Sequence, residues 1–219
     1  MIITDIKKID SKKCLVCINY EPAFALYNTE VRRYKLNENE NISKEIYEEI
    51  LWEVLFKRCR ERVAYILGKS DKSVHEIRLK LKQGYYPDEI IENVIEEYIG
   101  YDYINDDRYT YNYLKNNISR KSISRIKSEL LIKGISKDII INSIDKLRKD
   151  IGNESECTEK QISNVQFQII EKEFIKKKYD FKSDDKVLLN KIIYSLLRKG
   201  FEYDDIIRVY NSMKNKKIC

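Results

Sequence analysis

Histidine, tryptophan, proline and alanine are nearly missing from this chain: one His, one Trp, two Pro and three alanines (Ala23, Ala25 and Ala64) in 219 residues. The lone His75 stands beside Glu76 with no nucleophile at a recognisable spacing, so no histidine-centred acid–base or metal constellation can be assembled, and it reads as a surface residue. The five cysteines (Cys14, Cys17, Cys59, Cys157 and Cys219) are odd in number and scattered, which argues against a disulfide framework. Cys14-x-x-Cys17 has ligand spacing but no second pair, and strand positions three apart point to opposite faces. Gly-rich phosphate loops, Walker patterns and carboxylate-rich metal loops are absent from the sequence. Asp106 and Asp107 are adjacent, so on a helix they do not face one another and suit a helix start better than a metal. The chain is therefore read as a non-enzyme without metal or cofactor. No apolar run reaches bilayer-spanning length, and the opening MIITDIKKID lacks a signal-peptide layout; a cytoplasmic, membrane-free monomer is expected.

What is present is a frame that occurs three times. Ile77, Ile126 and Ile193 open it, Leu81, Leu130 and Leu197 follow four positions on, and an acidic residue precedes an Ile pair at Glu89-Ile90-Ile91, Asp138-Ile139-Ile140 and Asp205-Ile206-Ile207. A glycine breaks each copy (Gly84, Gly134 and Gly200), where a left-handed residue after a helix is wanted. Lys72-Ser73-Val74 and Lys121-Ser122-Ile123 give the first two copies a common lead-in. Such self-similarity marks a helical repeat protein, an architecture used for binding surfaces.

The fold class expected is mainly α: a tandem array of three three-helix units forming a curved elongated body, with a short β-rich N-terminal segment. Residues 1–42 carry two or three short apolar runs that read as strands of a small sheet. Ser43 caps a long helix, and residues 43–100 hold that helix and unit one, residues 101–150 unit two, 151–160 a polar linker with a hinge near Gly152, and 161–219 unit three. Pro87, with Asp88 and Glu89 behind it, fits the start of a third helix.

The net charge is a modest +6, but it is segregated. Residues 57–82 hold nine Lys/Arg against three acids, residues 88–107 eight acids and no base, and residues 108–137 eight bases against one acid. That pattern favours a basic track for phosphates of single- or double-stranded DNA, formed by Arg58, Arg60, Arg62, Lys69, Lys72, Arg78, Lys80 and Lys82, then Arg108, Arg120, Lys121, Arg125 and Lys127. The acidic helix, with Glu92, Glu96 and Glu97, is set against basic protein surface. Amphipathic helices with solvated charged faces would give some of the same pattern.

Residues 62–144 resemble the RecX family of bacterial RecA regulators. The resemblance rests on AYILGKSDKSVHEIRLKLKQG (residues 64–84), on YINDDRYTYNYL (residues 103–114) and on RIKSELLIKGIS (residues 125–136). Within these, Tyr103, Asp106, Arg108, Tyr109, Glu129, Leu130 and Gly134 fall on the family pattern, and Arg198-Lys-Gly-Phe201 looks like the third unit's ending. Lys69 and Lys72 stand where the family usually has arginine, and Thr110 where it usually has alanine. The resemblance implies a helical array that binds RecA recombinase filaments on DNA and modulates, usually inhibits, their ATPase, strand exchange and coprotease activities in recombination, DNA repair and the SOS response. The alternative from another class is a helix-turn-helix-like DNA-binding regulator acting without a recombinase.

Overall fold

The computed structural model describes residues 1–151, 158–181 and 185–218. It is mostly helical, with a three-stranded sheet at its N-terminus, and divides into two units, residues 1–105 and 106–219. Of the polar linker, residues 152–157, with Gly152 and Cys157, lie outside the described residues; helix already begins at Thr158.

In the first unit, β1 (Ile3–Lys8), β2 (Lys13–Ile18) and β3 (Glu21–Tyr27) form an antiparallel meander. The Asp10 carboxylate closes the first turn by accepting the backbone N–H groups of Lys12 (2.7 Å) and Lys13 (2.8 Å). Asn19 and Tyr20 make the second turn, both with positive φ (50° and 70°), the sign a two-residue hairpin with the right strand twist requires. After α1 (Asn28–Arg33), the helix capped by Ser43 runs as α2 (Lys44–Glu49), a π-helical turn (Ile50–Leu55) and α3 (Phe56–Leu67). Then come α4 (Val74–Lys82) and α5 (Asp88–Gly100). The sheet is no appendage. Its inward residues Ile3, Val16, Phe24 and Leu26 belong to the same buried cluster as Leu55, Val63, Ile77 and Ile91 from the helices. At about 1.5–3 kcal/mol for each fully buried large aliphatic side chain, that shared core ties residues 1–42 to the first three-helix repeat. Cys59 sits inside it, its thiol pushed up to about 12 by burial, and behaves as a small apolar side chain.

The second unit contains α6 (Asp106–Asn117), α7 (Ile123–Ile132), α8 (Lys137–Ile151), α9 (Thr158–Lys176), α10 (Lys186–Arg198) and α11 (Tyr203–Ile218). The first three close on Leu114, Ile126, Leu130, Ile140 and Ile144. The last three close on Ile170, Ile192, Leu196 and Ile206, with the rings of Phe174, Tyr179, Phe181 and Tyr210 packed edge-on or tilted against one another. Val165 packs against both clusters, and α8 lies against α9.

The structure corrects the repeat frame by one residue in two places. In the third copy the fully buried positions are Ile192 and Leu196, whereas Leu197 is 38% exposed. The helix-terminating left-handed residue is Gly134 (φ 77°) and Gly200 (φ 84°) in the later copies, but Tyr85 (φ 57°) rather than Gly84 in the first. Once aligned this way, Tyr86, Ile135 and Phe201 fall in one column, and Ile91, Ile140 and Ile206 in another. An Ile-Ile or Leu-Leu pair offers two adjacent candidates for one buried position, and periodicity alone cannot choose between them.

The serines of the lead-in motifs are buried N-caps. Ser73 accepts from the Glu76 N–H (3.1 Å) while Glu76 accepts from the Ser73 N–H (3.2 Å), a complete capping box. Ser122 accepts from the Arg125 N–H (3.1 Å) and its hydroxyl donates to the Gly200 carbonyl (2.6 Å), joining the second and third repeats. A Cβ on Gly200 would stand 2.6 Å from the Arg125 Cβ and 2.7 Å from the Ser122 Oγ, so this seam is closed by the absence of a side chain.

Candidate nucleic-acid and protein interface

In the first unit α3, α4 and α5 pack on one another, so the basic and acidic blocks that are separate along the sequence meet in space. Glu92 on α5 takes a bidentate pair from Arg78 on α4, both contacts 2.6 Å, which holds its carboxyl below the usual range. Glu97 pairs with Arg60 on α3 (2.9 Å), and Asp88 with Lys82 (2.9 Å). Glu96 is left exposed on α5. Of the three acids expected to face a partner, Glu92 and Glu97 thus also serve as counter-charges to bases of the helices before them.

Arg58 is also spoken for. Only 17% of its side chain is exposed; it pairs with Glu30 on α1, donates to the Ala25 carbonyl of β3 (3.4 Å) and lies over the Tyr27 ring, 4.5 Å from its centroid. It fastens α3 to the sheet. In the second unit Lys121 (2.7 Å) and Arg125 (2.9 Å) converge on Glu129, which also accepts the Tyr113 hydroxyl (2.7 Å). Partial burial pushes the Glu129 carboxyl up, but the three donors outweigh it and hold it at about 2. Leu130 beside it is fully buried and Gly134 ends the helix, so these three family-pattern residues build the repeat. Thr110 is buried where alanine was expected, its hydroxyl satisfied by the Asp106 carbonyl at 2.6 Å. Asp106 opens α6, Arg108 is exposed on its first turn, and Tyr109 stacks on Tyr113 with centroids 6.1 Å apart. Tyr103 is exposed and meets the rings of Tyr98 and Tyr101.

Among the described residues, Arg62, Lys69, Lys72 and Lys80 in the first unit, and Arg120 and Lys127 in the second, have no ion-pair partner. Two of these bases cluster with an aromatic that charge counting overlooks. Tyr65 is exposed on α3, with the Lys69 ammonium 4.2 Å and the Arg62 guanidinium 5.5 Å from its ring centroid, and the Lys69 hydrogen bond holds its phenol below the usual value. An exposed ring flanked by cations can stack on a base while its neighbours meet phosphates. The spacing Arg62-x-x-Tyr65-x-x-x-Lys69, which runs from the last turns of α3 into the turn after it, is the signal that would have found it.

Among the described residues no group of three or more His, Cys, Asp or Glu could hold a metal ion, and no helix is long and apolar enough to cross a membrane. Cys14 and Cys17 are both buried in β2, and the Cys14 thiol meets the Asn28 side-chain oxygen at 3.1 Å.

Comparison with known proteins places this geometry. The family model for the first three-helix domain of RecX matches residues 59–97, which run from α3 into α5. Proteins named regulatory protein RecX are similar along most of the chain. The one from Clostridium beijerinckii is 30% identical over 199 residues, covering 90% of this chain and 87% of the relative. The one from Streptococcus uberis is 31% identical over 206 residues, covering 91% and 73%. A crystal structure of regulatory protein RecX shares the fold with a TM-score of 0.55 at 17% identity, covering 95% of this chain and 98% of that one. That of RecX from Lactobacillus salivarius does so with a TM-score of 0.53 at 24% identity, over 72% and 96%. On this similarity along nearly its whole length, the chain belongs to the RecX family of regulatory proteins.

Proposed function

We propose that the protein binds RecA recombinase filaments on DNA and restrains their ATPase, strand exchange and coprotease activities, acting by contact rather than by chemistry. The observation that carries this reading is the near full-length similarity to regulatory proteins named RecX, joined to a set of basic side chains left over once the internal ion pairs are counted. Arg62, Tyr65, Lys69 and Lys80 are the residues of the first unit that meet DNA phosphates and bases. Arg58, Arg60, Arg78, Lys82, Lys121 and Arg125 act by holding the repeats together.

The test is ATP turnover by RecA on single-stranded DNA, with the protein titrated in at two salt concentrations. Turnover should fall, less steeply at the higher salt, because phosphate contacts release counterions. Changing Arg62, Lys69 and Lys80 together to Glu should weaken the restraint about tenfold or more and leave helix content unchanged. Full restraint by the triple variant would sink this assignment of the binding face. Tight binding to one duplex sequence, with RecA turnover untouched, would favour a DNA-binding regulator that acts alone.

A further inference from the structure

We propose that the outer face of α10, in the third repeat, is a docking surface for an acidic protein surface carrying an apolar groove. The helix is two-sided. Ile192, Ile193 and Leu196 are buried in the core of its repeat, while Val187 (66% exposed) and Tyr194 (67% exposed) lie on the opposite side, with Leu197 (38% exposed) at the edge between the two faces. Positions 187 and 194 are about two turns apart and lie in line along the axis, and Leu197, one turn on from Tyr194, widens this apolar strip towards the core side. Lys186, Lys191 and Arg198 flank it; the helix carries no acidic residue, and none of the three has an ion-pair partner among the described residues. An exposed apolar strip rimmed by cations is the composition of an interaction surface. The preceding repeat has the same habit: Leu131, 66 residues before Leu197, is exposed, as is Ile132 next to it.

Charge decides the occupant. A phosphate backbone would engage the three cations but leave Val187 and Leu197 in water. A second copy of the same helix would bring like charges face to face, which costs affinity. An acidic protein groove satisfies both the stripe and its flanks, in the manner of an amphipathic helix laid into a groove. The inference rests on the filament reading above, and assigns this face to the protein component of the filament rather than to its DNA.

The test uses the full chain with Val187→Glu and Tyr194→Glu combined. Both residues are exposed, so circular dichroism should be unchanged. Affinity is measured for RecA filaments on single-stranded DNA and for the same oligonucleotide alone, with molar mass by light scattering. The expected result is a loss of about tenfold or more on the filament, no change on DNA alone, and one unaltered mass. Equal loss on DNA alone would mean the stripe meets nucleic acid, and a wild-type dimer split by the variant would mean it pairs copies; either overturns the assignment. Undiminished filament binding overturns it while leaving the regulatory reading intact, whereas a wild type that never binds filaments ends both.

Discussion

Glu129→Gln removes one charge and almost no volume from the point where three donors converge, which makes it the cleanest probe of what holds the second repeat. The carboxylate is 18% exposed and receives Lys121 from the α6–α7 turn, Arg125 from its own helix and the Tyr113 hydroxyl from α6. A carboxyl that ionises at about 2 in the folded chain, instead of 4.5, is worth about 3 kcal/mol of stability at neutral pH as an upper bound. Arg125 is half exposed and its share is screened by solvent, so about 2 kcal/mol is the expected loss.

The sign follows from the direction of that displacement. The folded carboxyl releases its proton more readily than the unfolded one, so its contribution is complete above 4.5 and is lost as the pH falls from there towards 2. Urea unfolding followed by circular dichroism, at pH 7 and pH 3, should show the wild type ahead of the variant by about 2 kcal/mol, with that lead falling by half or more at the lower pH. The single tryptophan, Trp52, lies in the first unit, so its fluorescence is an internal control. A lead under about 0.5 kcal/mol at pH 7, or one that is the same at pH 3, would refute the convergence on Glu129 as a source of stability.

Two further substitutions test the seams. Gly200→Ala must place a Cβ 2.6 Å from Arg125 in a left-handed backbone, so the strain and overpacking together should cost about 2–4 kcal/mol, read by the same urea titration. Arg58→Ala breaks a largely buried pair with Glu30 on α1 and a carbonyl contact between α3 and the sheet; it should lower the stability of the first unit by about 2 kcal/mol and shift the Trp52 transition, whereas Arg62→Ala, exposed on the same helix, should not.

Much of the fold is readable from spacing. The helical repeats, the strand-rich start and the Ser43 cap follow from local rules, since a cap needs only the right side chain three residues before a donor. The shared core of sheet and first repeat was not readable, because nothing in residues 1–42 says which distant helix their apolar face will cover. The third copy's register slipped because Ile192-Ile193 and Leu196-Leu197 each offer two equivalent letters, and only packing picks one.

The candidate site was legible as composition and illegible as geometry, for one physical reason. Blocks of opposite charge on successive helices of a hairpin are brought face to face by the fold that separates them in sequence, so Arg60, Arg78 and Lys82 meet Glu97, Glu92 and Asp88 and contribute to cohesion before any ligand arrives. What remains for a partner is the charge that chain topology leaves unmatched. At the end of α3 that is a pair of cations, Arg62 and Lys69, around Tyr65. On α10, whose sequence holds three bases and no acid, the flanking charge and the apolar stripe are presented together, and a partner must match both at once to displace the water from either.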